Sequence, residues 1–273
     1  MSDTITSYSI CRKASFLFEK CGMTAQKAFA DAIAQELYKA IRERLIDEDT
    51  MIVKGNTQCG QAMALYYGIF KGGERKAAYE RLLELIHEAD DHFNCGMVGV
   101  RVLFRVLADF GDASLAYKMI TRTDFPSYGI WIDKFHLTSL PESFHDTVDG
   151  RTTSLNHHFM GDISGFFIKY IAGLQINPYR DDPTFVRVAP SFIDALDNAE
   201  AYYDTVGGRI DVMWEREKDA IKLTVSKADG VKGEVLLPTG YVFFAKDNAE
   251  DMWMNDRRDY KLENTTYYIK KIR

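Results

Sequence analysis

Along this chain the apolar residues change their spacing once, near residue 180, and that change fixes what can fold where. Before it, Phe29, Ile33, Leu37, Ile41 and Leu45 recur every fourth residue with charged residues between them. After it, apolar residues alternate with polar ones: Ile210, Val212 and Trp214, then Ile221, Leu223 and Val225, then Tyr241 and Phe243, then Tyr267 and Ile269. A spacing of four lines up side chains on one stripe of a helix; a spacing of two lines them up on one face of a strand. A run of helices followed by a run of strands is therefore expected, with the division at 1–178 and 179–273 and a linker from Asn177-Pro178 to Pro183.

The helical part reads as successive elements joined by short turns, the pattern of antiparallel hairpins. Thr24 stands where it can cap the helix that ends at Leu45. A second helix opens at Asn56-Thr57-Gln58, carries Met63, Leu65, Tyr66 and Ile69, and is expected to end at Gly72-Gly73. A third sets Tyr79, Leu82, Leu83 and Ile86 on one side. A fourth follows Gly96 and Gly99 with Leu103, Val106, Leu107 and Phe110, and a short fifth spans Ala113 to Ile120. The last presents a wide stripe of Ile163, Phe166, Phe167, Tyr170, Ile171 and Leu174. In the strand part, Gly207-Gly208, Ala228-Asp229-Gly230 and Pro238-Thr239-Gly240 mark tight turns, so an antiparallel β-sandwich is expected.

Charge and composition remove several classes of function. A net charge of −6 argues against a nucleic-acid partner, which needs a basic surface for the phosphates. No apolar run approaches the roughly 18 residues of a membrane span, so no membrane partner is expected. The start MSDTITSYSICRK lacks the apolar core of a secretory leader, which points to a cytoplasmic location unless a leader belongs to a preceding part of the polypeptide. Cys11, Cys21, Cys59 and Cys95 show no CxxC spacing, so free buried thiols are expected rather than a zinc site or redox pair. No cofactor is implied.

The residues from Asp124 to Leu174 carry the chemistry. Glu142 follows an aromatic-rich loop, and a carboxylate in a polar cleft can activate water for attack on a sugar's anomeric carbon. Ser139-Leu140-Pro141-Glu142 also matches a capping box, in which Glu142 would bond back to a helix start. Asn156-His157-His158 forms a polar cluster; adjacent helical positions diverge by about 100°, so one imidazole at most faces the same target as Glu142. His157 either bonds a sugar hydroxyl or is a satisfied histidine at a helix start. No third ligand stands at a metal-site spacing, so no metal is expected. Tyr128, Trp131 and Phe135 either offer a platform for the apolar face of a sugar or belong to the core.

Several stretches resemble glycoside hydrolase family 78, the α-L-rhamnosidases, in the family's order. Asn56-Thr57-Gln58 with Ala62, Ala64 and Leu65 is similar to its threonine-glutamine helix start. Gly96-Met97-Val98-Gly99 with Val106 to Asp109, and Leu115-Ala116-Tyr117 with Phe125-Pro126-Ser127-Tyr128-Gly129, are similar to its glycine-bracketed turn and its proline-serine-aromatic-glycine loop. Thr138-Ser139-Leu140-Pro141-Glu142 resembles its threonine-threonine-x-tryptophan-glutamate motif, with Pro141 in place of the tryptophan. Ser154-Leu155-Asn156-His157 with Gly161, and Ala199, Tyr203, Gly208-Arg209-Ile210 and Trp214, continue the likeness.

The resemblance implies helical hairpins of a partial (α/α)6 toroid followed by an antiparallel β-sandwich. It also implies an inverting hydrolase of terminal α-L-rhamnose, with a rhamnose-containing glycoside as substrate. By position, Glu142 would be the water-activating base and His157, with Asn156 beside it, a sugar contact. The family's general acid lies in an acidic, arginine- and tryptophan-containing motif of the barrel's first half, and no such motif occurs in this sequence. The helices are too few to close a six-hairpin toroid, so a separate N-terminal half or a homo-oligomer is an expected partner. The rival readings are a non-catalytic carbohydrate-binding or scaffold remnant, and a hydrolase or phosphorylase of another helical-barrel family.

Overall fold

The computed structural model describes residues 1–144, 154–244 and 258–272. The chain forms two compact units, one of Met1–Val106 with Leu115–Gly161, the other of Leu107–Ser114 with Asp162–Arg273.

The first unit opens on a hairpin of α1 (Ser2–Lys20) and α2 (Thr24–Leu45). Gly22 makes the reversal between them at φ +69°, a left-handed conformation that costs a residue without Cβ little. The Met23 amide donates to Phe18 O and the Gly22 amide to Glu19 O, the paired bonds that close a helix end. Ser15 Oγ donates to Asp31 across the hairpin, and the Tyr8 and Tyr38 rings meet at 5.8 Å. The expectation for α2 needs two corrections. Met23, not Thr24, is the cap, and no side chain bonds there. Ala30, Ala34 and Ile41 are buried, whereas Phe29 of the expected stripe is 70% exposed.

Strands β1 (Ile46–Asp47) and β2 (Ile52–Val53) then pair and return the chain to α3 (Gln58–Tyr66). Thr57 caps α3 through its hydroxyl, which accepts from the Gly60 amide at 3.2 Å. This helix stops at Tyr66, short of Gly72-Gly73, because Gly68 leaves it at φ +72°. Next come α4 (Glu74–Glu88), with Tyr79, Leu82 and Ile86 buried as the spacing requires, then α5 (Met97–Asp109) and α6 (Ala113–Thr121). The aromatic loop holds a further short helix, α7 (Tyr128–Asp133), where Ser127 Oγ accepts from the Ile130 amide.

In the second unit the expected last helix is shorter than its stripe. It comprises α8 (Ile163–Phe166) and a π turn over Phe167–Ile171, which leaves Phe167 and Ile168 exposed, and Leu174 already belongs to a strand. Strands β3 (Leu174–Ile176) and β4 (Phe185–Val188) pair antiparallel, so the stretch from Asn177 to Pro183, expected as a linker, lies in the loop of a hairpin. Strands β5 (Asn198–Thr205), β6 (Gly208–Arg216), β7 (Ile221–Lys227), β8 (Lys232–Leu236), β9 (Tyr241–Phe244), β10 (Asp259–Lys261) and β11 (Thr265–Lys271) complete two sheets. Their orders are β10-β8-β4-β3 and β5-β6-β7-β11-β9. All described pairs are antiparallel except β4 with β8, which run parallel.

The sandwich core is the alternation made solid. Val212 pairs with Val225 and Trp214 with Leu223, all fully or almost fully buried. From the other sheet, Val186, Val188 and Val235 are buried, and Tyr260 of β10 meets Phe243 of β9 at 4.5 Å. Trp214 Nε1–H donates to Ile171 O at 2.7 Å, so the sheet core also pins the π turn. Among the described residues no helix is long and apolar enough to cross a membrane.

Candidate functional site

Within the first unit a cavity of about 500 Å³ is lined by residues from four stretches of chain: Cys59 of α3, Phe93 to Gly99 before and into α5, Phe125 with Pro126, and Glu142 to Phe144. That volume lies within the range of pockets that hold small ligands. Ser2 of α1 completes the wall. The lining is mostly apolar, with one carboxylate and two thiols set into it.

Two buried glutamines of α3 hold this wall in place. Gln61 is fully buried: its Nε2 donates to Met51 O and Ala78 O, and its Oε1 accepts from the Val53 amide at 3.0 Å. Gln58 Nε2 donates to Leu85 O at the end of α4 and to His92 O, while its Oε1 accepts from the Asn94 amide at 2.8 Å. Every polar atom of both amides thus has a partner, the condition under which a buried amide stabilises rather than costs. Through Gln58, the segment carrying Phe93, Asn94 and Cys95 is fixed against α3.

Glu142 does not cap a helix, because none begins there. Its amide donates to Ser154 O at 2.8 Å, and the Ser154 amide approaches Glu142 Oε2 at 3.4 Å. The His157 amide donates to Leu140 O, and Ser139 Oγ to Leu155 O. Residues 139–142 and 154–157 therefore run side by side, and the partners that the capping reading sought locally come from the second segment. This leaves the Glu142 carboxylate half-buried at the cavity wall.

Asn156 is exposed, and His157 is half-buried with its ring beside those of His158 and Phe159. Neither is among the residues lining the cavity with Glu142. His157 Nδ1 is buried with no hydrogen-bond partner among the described residues. Tyr128 and Trp131 are 5% and 1% exposed, so of their two readings the structure shows core. The reason is Phe144, whose ring stacks on Trp131 at 4.2 Å and 4° and meets the edges of Phe93 and Tyr128. The aromatic residues expected as a sugar platform instead anchor the segment that bears Glu142. Tyr128 OH donates to Met160 O, which ties the same cluster to the chain beyond His157.

His92 Nε2 lies 3.2 Å from Asp124, and Arg122 pairs with both Asp124 and Asp90. Arg122, helped by His92, holds the Asp124 carboxyl well below the ordinary range, against a smaller opposing effect of burial. Asp124 is 58% exposed, so water screens this pair and it adds little stability. The cysteines also depart from expectation, since Cys95 alone is buried, Cys11 and Cys59 are half-buried and Cys21 is exposed. No group of three metal-ligating side chains is placed to hold an ion among the described residues.

Phe93, Phe144, Gln58 and the Cys59/Cys95 pair were not legible as site residues. Gln58 alone carried a signal, its place in the threonine-glutamine helix start.

Residues 6–171 match the family model described as the bacterial alpha-L-rhamnosidase 6 hairpin glycosidase domain, and residues 176–246 match that of the bacterial alpha-L-rhamnosidase C-terminal domain. Among curated proteins, an alpha-L-rhamnosidase of Alteromonas sp. (strain LOR) is 29% identical over 79% of this chain and 24% of its own length. One of Streptomyces avermitilis is 29% identical over 69% of this chain and 19% of its own. The chain thus spans a quarter or less of these relatives. Among solved structures, an alpha-L-rhamnosidase from Dictyoglumus thermophilum superposes with a TM-score of 0.82 at 21% identity, over 97% of this chain and 31% of that one. The Streptomyces avermitilis alpha-L-rhamnosidase complexed with L-rhamnose gives 0.77 at 22%, over 98% and 26%.

Proposed function

Because the chain belongs to the bacterial α-L-rhamnosidase six-hairpin glycosidase family, we propose that it is the water-activating part of an inverting glycoside hydrolase acting on terminal α-L-rhamnose. The observation that carries the proposal is the Glu142 carboxylate in the wall of a cavity of about 500 Å³. The relatives' names supply the sugar.

In this reading Glu142 takes a proton from a water molecule as the water oxygen bonds to the anomeric carbon. The glycosidic bond breaks on the opposite face, and the leaving oxygen takes a proton from a second carboxyl group. Inversion sets the two carboxyl groups roughly 6.5–9.5 Å apart, so that water fits between base and sugar. That proton donor comes from residues beyond this sequence, on a preceding stretch of polypeptide or on a partner chain. The backbone bonds of Glu142 with Ser154 and of His157 with Leu140 hold the base against the strain of proton transfer. The family resemblance assigns His157, with Asn156 beside it, to sugar contact; their segment is bonded to residues 139–142 and does not line the cavity itself.

The test is turnover of an aryl α-L-rhamnoside. The chain alone is expected to turn over weakly or not at all. Supplied with the N-terminal half of a family barrel, it gains activity that Glu142→Gln lowers about 10²–10⁴-fold. Activity that survives Glu142→Gln would sink the assignment. Rhamnose binding unchanged by Glu142→Gln, with no turnover in any combination, would instead favour the non-catalytic carbohydrate-binding reading.

A further inference from the structure

Two thiols of the cavity wall have no part in that chemistry. Cys59 stands in the first turn of α3 and Cys95 just ahead of α5, and both line the cavity that Glu142 lines. Gly99 is what lets them meet. A Cβ built on Gly99 would lie 2.9 Å from Cys59 Cβ and 3.0 Å from Cys95 Cβ. The two Cβ atoms are therefore at most about 6 Å apart, against the roughly 3.5–4.5 Å of a disulfide, and a small backbone shift brings them within that range. Both side chains pack against Gly99 in the cavity wall. Cys59 in its turn lies 3.9 Å from Met63 Sδ, a weak acceptor for its own proton. Of the remaining thiols, Cys11 is on α1 and Cys21 at its end, and neither lines this cavity.

We propose that Cys59 and Cys95 form a peroxide-sensitive dithiol that closes to a disulfide in the wall of the cavity. The two sulfurs have different parts. The neighbouring Cys95 thiol holds Cys59 below the ordinary thiol range against the opposing effect of burial, while the Cys59 thiol and burial hold Cys95 well above it. Cys59, half-buried and open to the cavity, is the nucleophile, and Cys95 is the resolving partner. In the first step the Cys59 thiolate bonds to one peroxide oxygen as the O–O bond breaks. The departing hydroxide takes up a proton and leaves as water, and Cys59 becomes a sulfenic acid. In the second step Cys95 sulfur bonds to Cys59 sulfur as the S–O bond breaks, and the hydroxide leaves as water with the Cys95 proton. Overall two thiols are oxidised, one hydrogen peroxide is reduced, and two waters form. This chemistry stands whether or not Glu142 acts on a sugar.

The experiment treats the reduced full chain with hydrogen peroxide, blocks residual thiols, and maps linked peptides by mass spectrometry. A Cys59–Cys95 linkage is expected, with free thiols counted in denaturant falling from four to two and restored by dithiothreitol. In Cys95→Ser, Cys59 is expected to stop at a sulfenic acid that dimedone captures. In Cys59→Ser, Cys95 is expected to stay a free thiol at the same dose. Two results would overturn the proposal: both residues remain alkylatable while Cys21 oxidises, or wild-type Cys59 runs on to sulfinic acid with Cys95 still free. If the serine variants do not fold, the linkage map of the unaltered chain decides it alone.

Discussion

Strands β6 and β7 bury Ile210, Val212, Trp214, Ile221, Leu223 and Val225, the positions their alternation assigns, whereas α2 turns Phe29 outward and buries Ala30 and Ala34. The contrast has a geometric origin. A strand offers two faces, and one cross-strand register settles which is inner for every residue at once. A helix offers a continuous circumference, and the buried sector is set by whichever neighbours arrive. Around the α1–α2 hairpin those neighbours cover one side, and Ile10, Leu17 and Phe29 stay 59%, 60% and 70% exposed. Period therefore reports burial faithfully in the sheets and only its availability in the helices. Exposed apolar side chains of that size on one hairpin invite a covering partner.

The comparison can be broken first where its sheet half is strongest. Trp214→Ala removes a fully buried ring and leaves Ile171 O without its donor, so it should cost about 3–5 kcal/mol. Chemical denaturation followed through strand and helix signals should show the strand signal lost at the lower denaturant concentration; coincident, unshifted transitions would refute the pinning role. Next, Gln61→Leu leaves the Met51 carbonyl and the Val53 amide unpaired and removes a second bond from the Ala78 carbonyl, with an expected loss on the order of 3 kcal/mol. A thermal midpoint unchanged from wild type would show that water takes over those bonds.

A smaller effect concerns charge. Lys118 and His87 hold the Asp91 carboxyl below its ordinary range, with Lys118 the larger cause. A carboxyl with a lowered folded-state pKa stabilises the fold above its unfolded value and loses that contribution as pH falls through the folded one. Asp91→Asn should therefore destabilise by about 1 kcal/mol or less at neutral pH and make no difference in strong acid, as denaturation curves at several pH values would reveal. Smallest of all, Phe29→Ser should move stability by no more than about 0.5 kcal/mol while reducing any self-association seen by sedimentation. A large loss of stability would mean that Phe29 is covered in solution.

The order of helices then strands, the turn glycines between the strands and the burial of Trp214 were legible because each rests on local spacing or motif. Helix α1 was not, because its buried face includes Ser9 and Ser15 beside Ile5 and Tyr8 and so shows no clean apolar stripe. The capping reading of Glu142 failed for a related reason. The amide bond that a local box would have satisfied is made to Ser154, and nothing in residues 139–142 announces a partner that distant. Phe144 and the two thiols became visible only when α3, α5 and the Glu142 segment were brought to one place. Tyr128 and Trp131 show the limit of residue type as a guide, since an aromatic ring suits a sugar face and an interior equally well.

Gln58 gives the cavity a dependence that is easy to overlook. Its single carboxamide grips a helix end, a loop carbonyl and a loop amide at once, so the spacing of Phe93 and Cys95 from α3 is dictated from inside the fold. Exchange for glutamate would turn the donor toward two carbonyls into an acceptor and push the loop outward. Selection or design aimed at the mouth of this hollow must therefore begin with a side chain that never reaches it.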